Sequence, residues 1–258
     1  MKIISIANQK GGSGKTTTAV NLGASLSTQS LRVLLIDLDP QGHSTIGIGI
    51  DPDELSTTIY DAIVKPPISI QAVIKKTYLC GLDIAPSNIL LSGADLDLSN
   101  TIGRETILKE KLAIFKDEYD YIIIDCSPSL NILTVNSLTA SDYILIPIQT
   151  HYYAMEGMKQ LFSTIDLVKR RLNPTLKLLG ILPTMYDKRT NISKDVLEGI
   201  RDFFGAKVLN TIININVKLT EAPSSGEAVL TYSPESTGAR DYQNLAKEIL
   251  YYEKKNRA

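Results

Sequence analysis

Short apolar runs alternate along this chain with longer segments whose apolar residues recur every three or four positions. Continuous apolar runs are typical of strands buried on both faces of a sheet, whereas the longer spacing is typical of amphipathic helices. The predicted strands are residues 1–7, 32–37, 82–86, 121–125, 143–148 and 176–182. The predicted helices are residues 15–29, 53–64, 89–98, 103–116, one ending at 136–141, 152–172, 191–204 and 239–252. Asp187 or Asn191 is expected to cap the helix that runs to Phe204.

This alternation continues from the first residue to the last without a repeat, a low-complexity tract or a Ser/Pro/Gly-rich linker. Alternating strands and helices are typical of a doubly wound α/β fold, a mostly parallel sheet with helices on both faces. We therefore expect residues 1–258 to form one domain, with right-handed crossovers between its parallel strands.

Composition narrows the class of protein. Hydrophobic residues make up 43% and charged residues 21% of the chain, and the net charge is −1. The chain as a whole is therefore not a polyanion binder, and any contact with nucleic acid must come from a local patch.

No apolar run reaches the ~18 residues of a membrane span, and no secretory signal is evident, so we expect a cytoplasmic protein. Cys80 and Cys126 lack Cys or His companions at ligand spacing, which argues against a zinc or disulfide framework.

The strongest chemical signal is the segment K-G-G-S-G-K-T between the first predicted strand and the first predicted helix. Its glycines let backbone N–H groups approach an anion closely, and the helix N-terminus adds a favourable dipole. Lysine and threonine at its end suit the β- and γ-phosphates and Mg²⁺ of a nucleoside triphosphate. The standard phosphate-loop pattern has glycine where Gln9 stands, so the loop is a variant. The candidate ATP-binding residues are Lys10, Gly11, Gly12, Ser13, Gly14, Lys15, Thr16 and Thr17.

Two carboxylates stand at the ends of predicted strands. Asp39 follows the second strand within D-L-D-P-Q-G, and Asp125 ends the apolar run Y-I-I-I. In open α/β sheets the ligand lies beyond the carboxyl ends of the strands, so both residues are expected to face the phosphate loop. A strand that delivers Asp125 to the Mg²⁺ shell matches the Walker B pattern, with Thr16 as the second metal-binding residue. Asp39-Pro40 is also a common turn, so Asp39 alone does not establish a site.

These motifs together resemble those of the ParA/Soj group of P-loop ATPases, whose deviant phosphate loop carries the extra lysine found here at position 10. The resemblance extends from Ile3 to Ala246 and includes the later segment T-I-I-N-I-N-V-K-L-T-E-A-P-S. It implies that Asp39 orients or activates the attacking water. It also implies that the adenine lies near Met185, with Asn214 and Asn216 among the nucleotide-binding residues, and that Arg189 contacts DNA.

The later segment departs from the family pattern I-P-R-N-V-R-L-x-E-A-P-S at three positions. Asn214 replaces proline, Ile215 replaces arginine, and Lys218 replaces the second arginine. Lysine still meets a phosphate as a point charge, whereas isoleucine does not. Because affinity for DNA rises with the number of neutralised phosphates, we expect weaker DNA binding than in relatives with both arginines.

The resemblance implies a DNA-segregation ATPase that forms an ATP-dependent homodimer, binds double-stranded DNA nonspecifically, and hydrolyses ATP when a ParB-like partner stimulates it. Lys10 would then serve the partner's phosphates across the dimer interface. Some relatives carry a helix-turn-helix segment before the phosphate loop, and we expect none here. The ATP-bound form is expected on the nucleoid.

Three alternatives stay open. A MinD-like ATPase that cycles on a membrane requires an amphipathic tail, and the last predicted helix offers Leu245 and Ile249 followed by basic residues; packing against the sheet is the simpler account. A reductase with a bridging Fe–S cluster requires two thiolates per subunit near the dimer axis, and Cys80 has no evident reason to join Cys126. A nucleotide-gated adaptor that does not hydrolyse ATP is the third.

Overall fold

The computed structural model describes residues 1–151 and 157–257, and their strands form one sheet. The strands are β1 (Lys2–Ile6), β2 (Val33–Leu38), β3 (Lys75–Lys76), β4 (Leu82–Ala85), β5 (Tyr121–Cys126), β6 (Tyr143–Gln149) and β7 (Lys177–Thr184). Within the described residues the order is β3-β4-β2-β5-β1-β6-β7. Every neighbouring pair is parallel except β3 with β4, which is antiparallel at the edge.

Helices connect the parallel strands. The longer ones are α1 (Lys15–Ser27), α6 (Ile132–Ala140), α7 (Met158–Arg171), α8 (Asn191–Phe204) and α11 (Thr237–Arg257). The short ones are α2 (His43–Ile46), α3 (Ile59–Val64), α4 (Ala94–Asp97), α5 (Ile107–Leu112), α9 (Val217–Glu221) and α10 (Val229–Tyr232). Single 3₁₀ turns occupy Pro52–Glu54, Ile70–Val73, Ile89–Gly93, Ala113–Phe115, Gly205–Lys207 and Ala222–Ser225.

The central strands are apolar throughout because both faces of the sheet are covered. Every residue of β2 and β5 is buried. Alternate residues of one strand enter different core clusters, since successive side chains point to opposite faces. Leu34 and Ile36 pack in one cluster with α6 and α7, whereas Val33 and Leu35 pack in the other with α1 and α11. The predicted doubly wound α/β fold is therefore confirmed.

The predicted strands agree with the structure to within two residues at each end, and the differences lie in the short elements. The helix predicted over 53–64 is wrong in its first half, because Pro52–Glu54 forms a 3₁₀ turn and only Ile59–Val64 is α-helical. The segment at Lys75–Lys76, which lies outside the predicted strands, forms the edge strand β3. The region from 226 to 238, which contains none of the predicted helices before residue 239, includes α10.

Helix ends also differ from the prediction. Thr190, rather than Asp187 or Asn191, caps α8, because its side chain accepts a hydrogen bond from the backbone N–H of Ser193. The helix predicted over 89–98 begins as a 3₁₀ turn capped by Asn88 and continues as α4. The first five residues of the helix predicted over 152–172 lie outside the described residues.

The last helix packs into the core through its apolar face. Tyr242, Leu245, Ala246 and Ile249 are almost completely buried in the cluster that contains α1. The prediction that this face packs against the sheet is therefore confirmed. Among the described residues, none of the helices combines the length and the hydrophobicity that crossing a bilayer requires.

Candidate nucleotide site

The phosphate loop, the end of β2 and the loop after β5 enclose one cavity of about 630 Å³ at the carboxyl edge of the sheet. This is where the fold places ligands, because loops from several strand ends converge there. Of the residues predicted to form the site, the cavity is lined by Gly11, Gly12, Ser13, Gly14, Lys15, Thr16, Thr17, Asp39 and Met185.

Two glycines of the loop adopt a backbone conformation that other residues avoid. Gly12 has φ +69° and Gly14 has φ +88°, and Gly14 directly precedes α1. Two side chains hold the loop from outside: the Thr184 hydroxyl donates to the carbonyl of Ser13 at 2.9 Å, and the Gln149 amide donates to the carbonyl of Gly12. Since α1 begins at this loop, its free N–H groups point toward the cavity and favour an anion.

Lys15 lies buried beneath the loop. Its Nζ donates to the carbonyl of Lys10 at 3.2 Å. Desolvation lowers the pKa of this amine, and the nearby carboxylates of Asp125 and Asp39 oppose that shift. Lys10 is half-buried, and its backbone N–H donates to Asn8 Oδ1 at 3.0 Å. The two lysines of the loop therefore occupy different environments, because Lys15 is buried and lines the cavity whereas Lys10 is half-buried and is not one of the lining residues.

Asp125 is a buried carboxylate with an incomplete hydrogen-bond set. Its Oδ2 accepts from the Ser44 hydroxyl at 2.8 Å, while Oδ1 has no hydrogen-bond partner within the part of the chain that the structure describes. Burial raises its pKa first, and the carboxylate of Asp37 raises it further, while Thr16 and Lys15 lower it. A buried carboxylate oxygen of this kind is costly unless a cation meets it.

These observations test whether the site fits Mg²⁺. A hard divalent cation prefers carboxylate and hydroxyl oxygens, and the Thr16 hydroxyl faces the same carboxylate. The unpartnered Oδ1 of Asp125 and the raised pKa of the buried pair are both relieved by a bound cation. The residues present therefore fit magnesium.

Asp37 is a buried carboxylate beside the site that the sequence reasoning missed. It pairs directly with Asp125 across β2 and β5, and its pKa is raised mainly by burial. Its Oδ1 accepts from the backbone N–H of Asp39 at 3.1 Å, and its Oδ2 accepts from the N–H and the hydroxyl of Thr45 at 2.9 and 2.8 Å. Asp37 thus ties both ends of the segment 39–45 to the strand. The sequence feature that could have identified Asp37 is the repeated aspartate in D-L-D, followed by Ser44-Thr45.

Asp39 stands at the edge of the cavity with 9% of its surface exposed. Its Oδ1 accepts from the backbone N–H of Gln41 at 3.0 Å, so the carboxylate is oriented by its own turn. The turn signal of Asp39-Pro40 and the placement in the cavity are therefore both correct. The side chain is near enough to Lys15 to affect the pKa of that amine.

Cys126 is buried as expected and does not offer a cluster ligand. Its thiol lies 3.0 Å from the Ser137 hydroxyl, and burial raises its pKa to about 12. Cys80 precedes β4 at the opposite edge of the sheet, where it is exposed. Among the described residues, no group of three His, Cys, Asp or Glu side chains is arranged to hold a metal ion.

Asn214 and Asn216 line a neighbouring cavity of about 440 Å³, which also includes Tyr186 and Arg189. The structure does not bring these asparagines to the phosphate loop itself. Asn214 donates from its backbone and side-chain N–H groups to Asp241, and Asn216 caps α9. The two cavities meet at the loop after β7, where Met185 lines the first cavity. The next residue, Tyr186, lines the second.

Arg189 and Lys218, the candidate DNA contacts, are both exposed and both paired within the chain. Arg189 donates to Asp187 through Nε and Nη2 at 2.9 and 2.8 Å. Lys218 donates to Glu221 at 2.8 Å and lies over the Tyr232 ring. Backbone hydrogen bonds join Tyr186 to residues 213 and 215, so the two cations belong to one surface.

A family model described as an AAA domain matches residues 1–178. The chain is 50% identical over 248 residues to the sporulation initiation inhibitor protein Soj of Bacillus subtilis, covering 96% of this chain and 98% of that protein. It is 47% identical over 249 residues to the chromosome partitioning protein ParA of Myxococcus xanthus, covering 96% and 88%.

A solved structure gives the same fold. It is described as cobyrinic acid a,c-diamide synthase from Mycobacterium smegmatis with bound ATP analogue and magnesium. It superimposes with a TM-score of 0.88 at 38% identity, covering 98% of this chain and 96% of that one.

Proposed function

This chain belongs to the Soj/ParA family of chromosome-partitioning ATPases, and we propose that it segregates DNA through a cycle of ATP binding, dimerisation and hydrolysis. In this cycle two copies bind Mg-ATP and associate with the nucleotides at their interface. The dimer binds double-stranded DNA nonspecifically, and a ParB-like partner accelerates hydrolysis and returns the protein to monomers. It acts in the cytoplasm, on the nucleoid when ATP is bound.

One observation carries the proposal: Lys15 and Asp39 line a single cavity at the carboxyl edge of the sheet, and the buried carboxylate of Asp125 acts on the same lysine. Asp39 and Asp125 stand at the ends of β2 and β5, Lys15 begins α1, and the carbonyl of Lys10 accepts a hydrogen bond from Lys15 Nζ. Phosphoryl transfer requires charge compensation and positioning more than covalent chemistry. The M. smegmatis structure described as holding an ATP analogue and magnesium, with the same fold, supports this assignment.

The chain's own residues divide these tasks. Lys15 and the loop N–H groups hold the phosphates in place, because the lysine is fixed inside the cavity. Thr16 and Asp125 would hold Mg²⁺, which neutralises phosphate charge when bound. Asp39 orients the attacking water, since its carboxylate is held by the turn at Gln41 and faces the cavity. Asp37 is a positioning residue that fixes the segment carrying Asp39.

Lys10 has the role of a cation supplied in trans. Lys10 is half-buried and does not line the cavity of its own subunit, which favours contact with the phosphates of a facing subunit, as an arginine finger does. Met185, Asn214 and Asn216 bind the base, at the junction of the two cavities. Arg189 and Lys218 contact DNA phosphates.

The dimer is tested with the Asp39→Ala variant, which retains the phosphate loop and is expected to accumulate the ATP-bound state. Sedimentation velocity with excess Mg-ATP should show dimers for this variant and monomers with ADP. The matched control is Asp51→Ala, which removes an exposed carboxylate from the same side of the molecule. Monomers under every condition would contradict the proposal.

Membrane cycling is the alternative, and the packing of α11 weighs against it. The apolar side chains that a membrane would need, such as Leu245 and Ile249, are buried in the core. Co-sedimentation with anionic vesicles in the presence of ATP should leave the protein in the supernatant. The protein should instead bind a random-sequence DNA duplex.

A further inference from the structure

The surface that carries Arg189 and Lys218 contains its own acidic groups. Residues 185–189 and 213–221 hold three cations, Lys188, Arg189 and Lys218, and two carboxylates, Asp187 and Glu221. Each carboxylate is paired with one of the candidate DNA contacts. We infer that Asp187 and Glu221 occupy the positions that DNA phosphates take and so set the affinity of this face for DNA. This inference rests on the proposed DNA binding.

At Arg189 the internal partner uses the same geometry that a phosphate uses. Asp187 receives Nε on one carboxylate oxygen and Nη2 on the other, at 2.9 and 2.8 Å. Planar bidentate pairing is how a guanidinium recognises either a carboxylate or a phosphate. The Arg189 side chain is 79% exposed, so DNA can reach it, but its fork is already engaged.

The acidic partner at this position is itself held in place. Asp187 Oδ1 also accepts from the backbone N–H of Arg189 at 3.0 Å, and the Arg189 guanidinium lowers the pKa of Asp187 to about 2. The carboxylate therefore stays charged throughout the neutral range and stays beside the arginine.

At Lys218 the arrangement is similar but looser. Glu221 Oε2 accepts from Lys218 Nζ at 2.8 Å and from the Tyr232 hydroxyl at 3.2 Å. The same ammonium lies 5.6 Å from the centre of the Tyr232 ring. Tyr232 thus holds both members of the pair, and a phosphate must displace or share the position of Glu221 to reach the lysine.

The internal ion pairs change how many counterions are released when this surface binds DNA. A free cation that binds a DNA phosphate releases about 0.9 of a condensed counterion, whereas a cation that first leaves a carboxylate exposes that carboxylate to solution cations. Internal pairing therefore reduces both the affinity for DNA and the steepness of its salt dependence. Removing the carboxylate charge should increase both.

The test uses full-length protein with a nonhydrolysable ATP analogue and a fluorescent random-sequence duplex, titrated at salt concentrations from about 50 to about 300 mM. Asp187→Asn and Glu221→Gln keep the side-chain shape and remove the charge. Each should tighten binding about two- to fivefold, in line with the strength of exposed ion pairs. Each should also steepen the slope of log K against log salt by up to about one.

Two controls make the result specific. Asp117→Asn removes the same charge at the opposite edge of the sheet, where the residue is exposed, and should change neither affinity nor slope appreciably. In an Arg189→Ala background the gain from Asp187→Asn should disappear, because no masked guanidinium remains.

The possible outcomes separate this inference from the proposed function. One outcome is that wild type binds DNA, that Arg189→Ala weakens this binding and that Asp187→Asn leaves it unchanged. DNA binding then stands and the inference is overturned. If neither wild type nor the two neutral variants binds, both are overturned. Binding by the neutral variants alone would support the inference in its strongest form.

Discussion

Lys10 and Lys15 are two residues of the same type in one loop that occupy different environments. Lys15 is buried with its Nζ against the carbonyl of Lys10, whereas Lys10 is half-buried. We expect Lys15→Ala to lose most ATP affinity in isothermal titration calorimetry, because it removes the enclosed cation. Lys10→Ala should retain ATP binding and lose dimerisation and turnover. Equal loss of ATP affinity in the two variants would rule out the separate role of Lys10.

The buried carboxyl groups of Asp37 and Asp125 should make the stability of the protein depend on pH. Their pKa values are raised to about 6 and about 7 from 3.8, mainly by burial. Protonation of the pair therefore stabilises the folded state fully below the ordinary carboxyl pKa. This stabilisation is lost as the pH rises through the raised pKa values. Without Mg²⁺, Asp125→Asn should melt above wild type at about pH 8, and the difference should shrink toward about pH 5. The exposed Asp117→Asn should show no such trend, and a pH-independent difference would contradict the assignment.

At the scale of elements, the segment from Asp39 to α2 is held by Thr45 as much as by the strand. The Thr45 hydroxyl donates to Asp37 and accepts from the backbone N–H of Ser87, so it joins β2 to the loop after β4. Thr45→Val keeps the shape, but it leaves the buried N–H of Ser87 unpaired and removes one of the two hydrogen bonds to Asp37 Oδ2. An unpaired buried group costs about 1–3 kcal/mol. We expect lower stability in urea unfolding and a larger loss of ATPase activity than of ATP affinity. Thr45→Ser keeps the hydroxyl and should behave nearly as wild type.

At the scale of the whole molecule, α11 is part of the core. Leu245 is fully buried, so Leu245→Ala should lower the free energy of unfolding by about 2–5 kcal/mol. Tyr251, on the same helix, is 69% exposed, and Tyr251→Ala should change it by less than about 0.5 kcal/mol. Urea denaturation of both variants checks the difference. Similar small effects would mean that the helix is not needed to complete the core.

The sequence by itself determined the parallel strands and the phosphate loop. Buried parallel strands require continuous apolar runs, and these runs are local enough to be recognised without a partner. The glycines and Lys15 of the loop are specified by an anion-binding geometry that lies within one short segment. Asp39 and Asp125 could be placed at one edge because parallel strands end there.

Only the tertiary structure decided which groups meet across separate segments. Asp37 faces Asp125 through strand pairing, Thr45 reaches Ser87, and Asn214 turns to Asp241. Short 3₁₀ turns and the cap at Thr190 also depended on context, because the local sequence offered several equivalent caps. The pairing of Arg189 with Asp187 depended on how the loop after β7 folds. These contacts depend on the three-dimensional path of the backbone, which residue types and spacing do not encode locally.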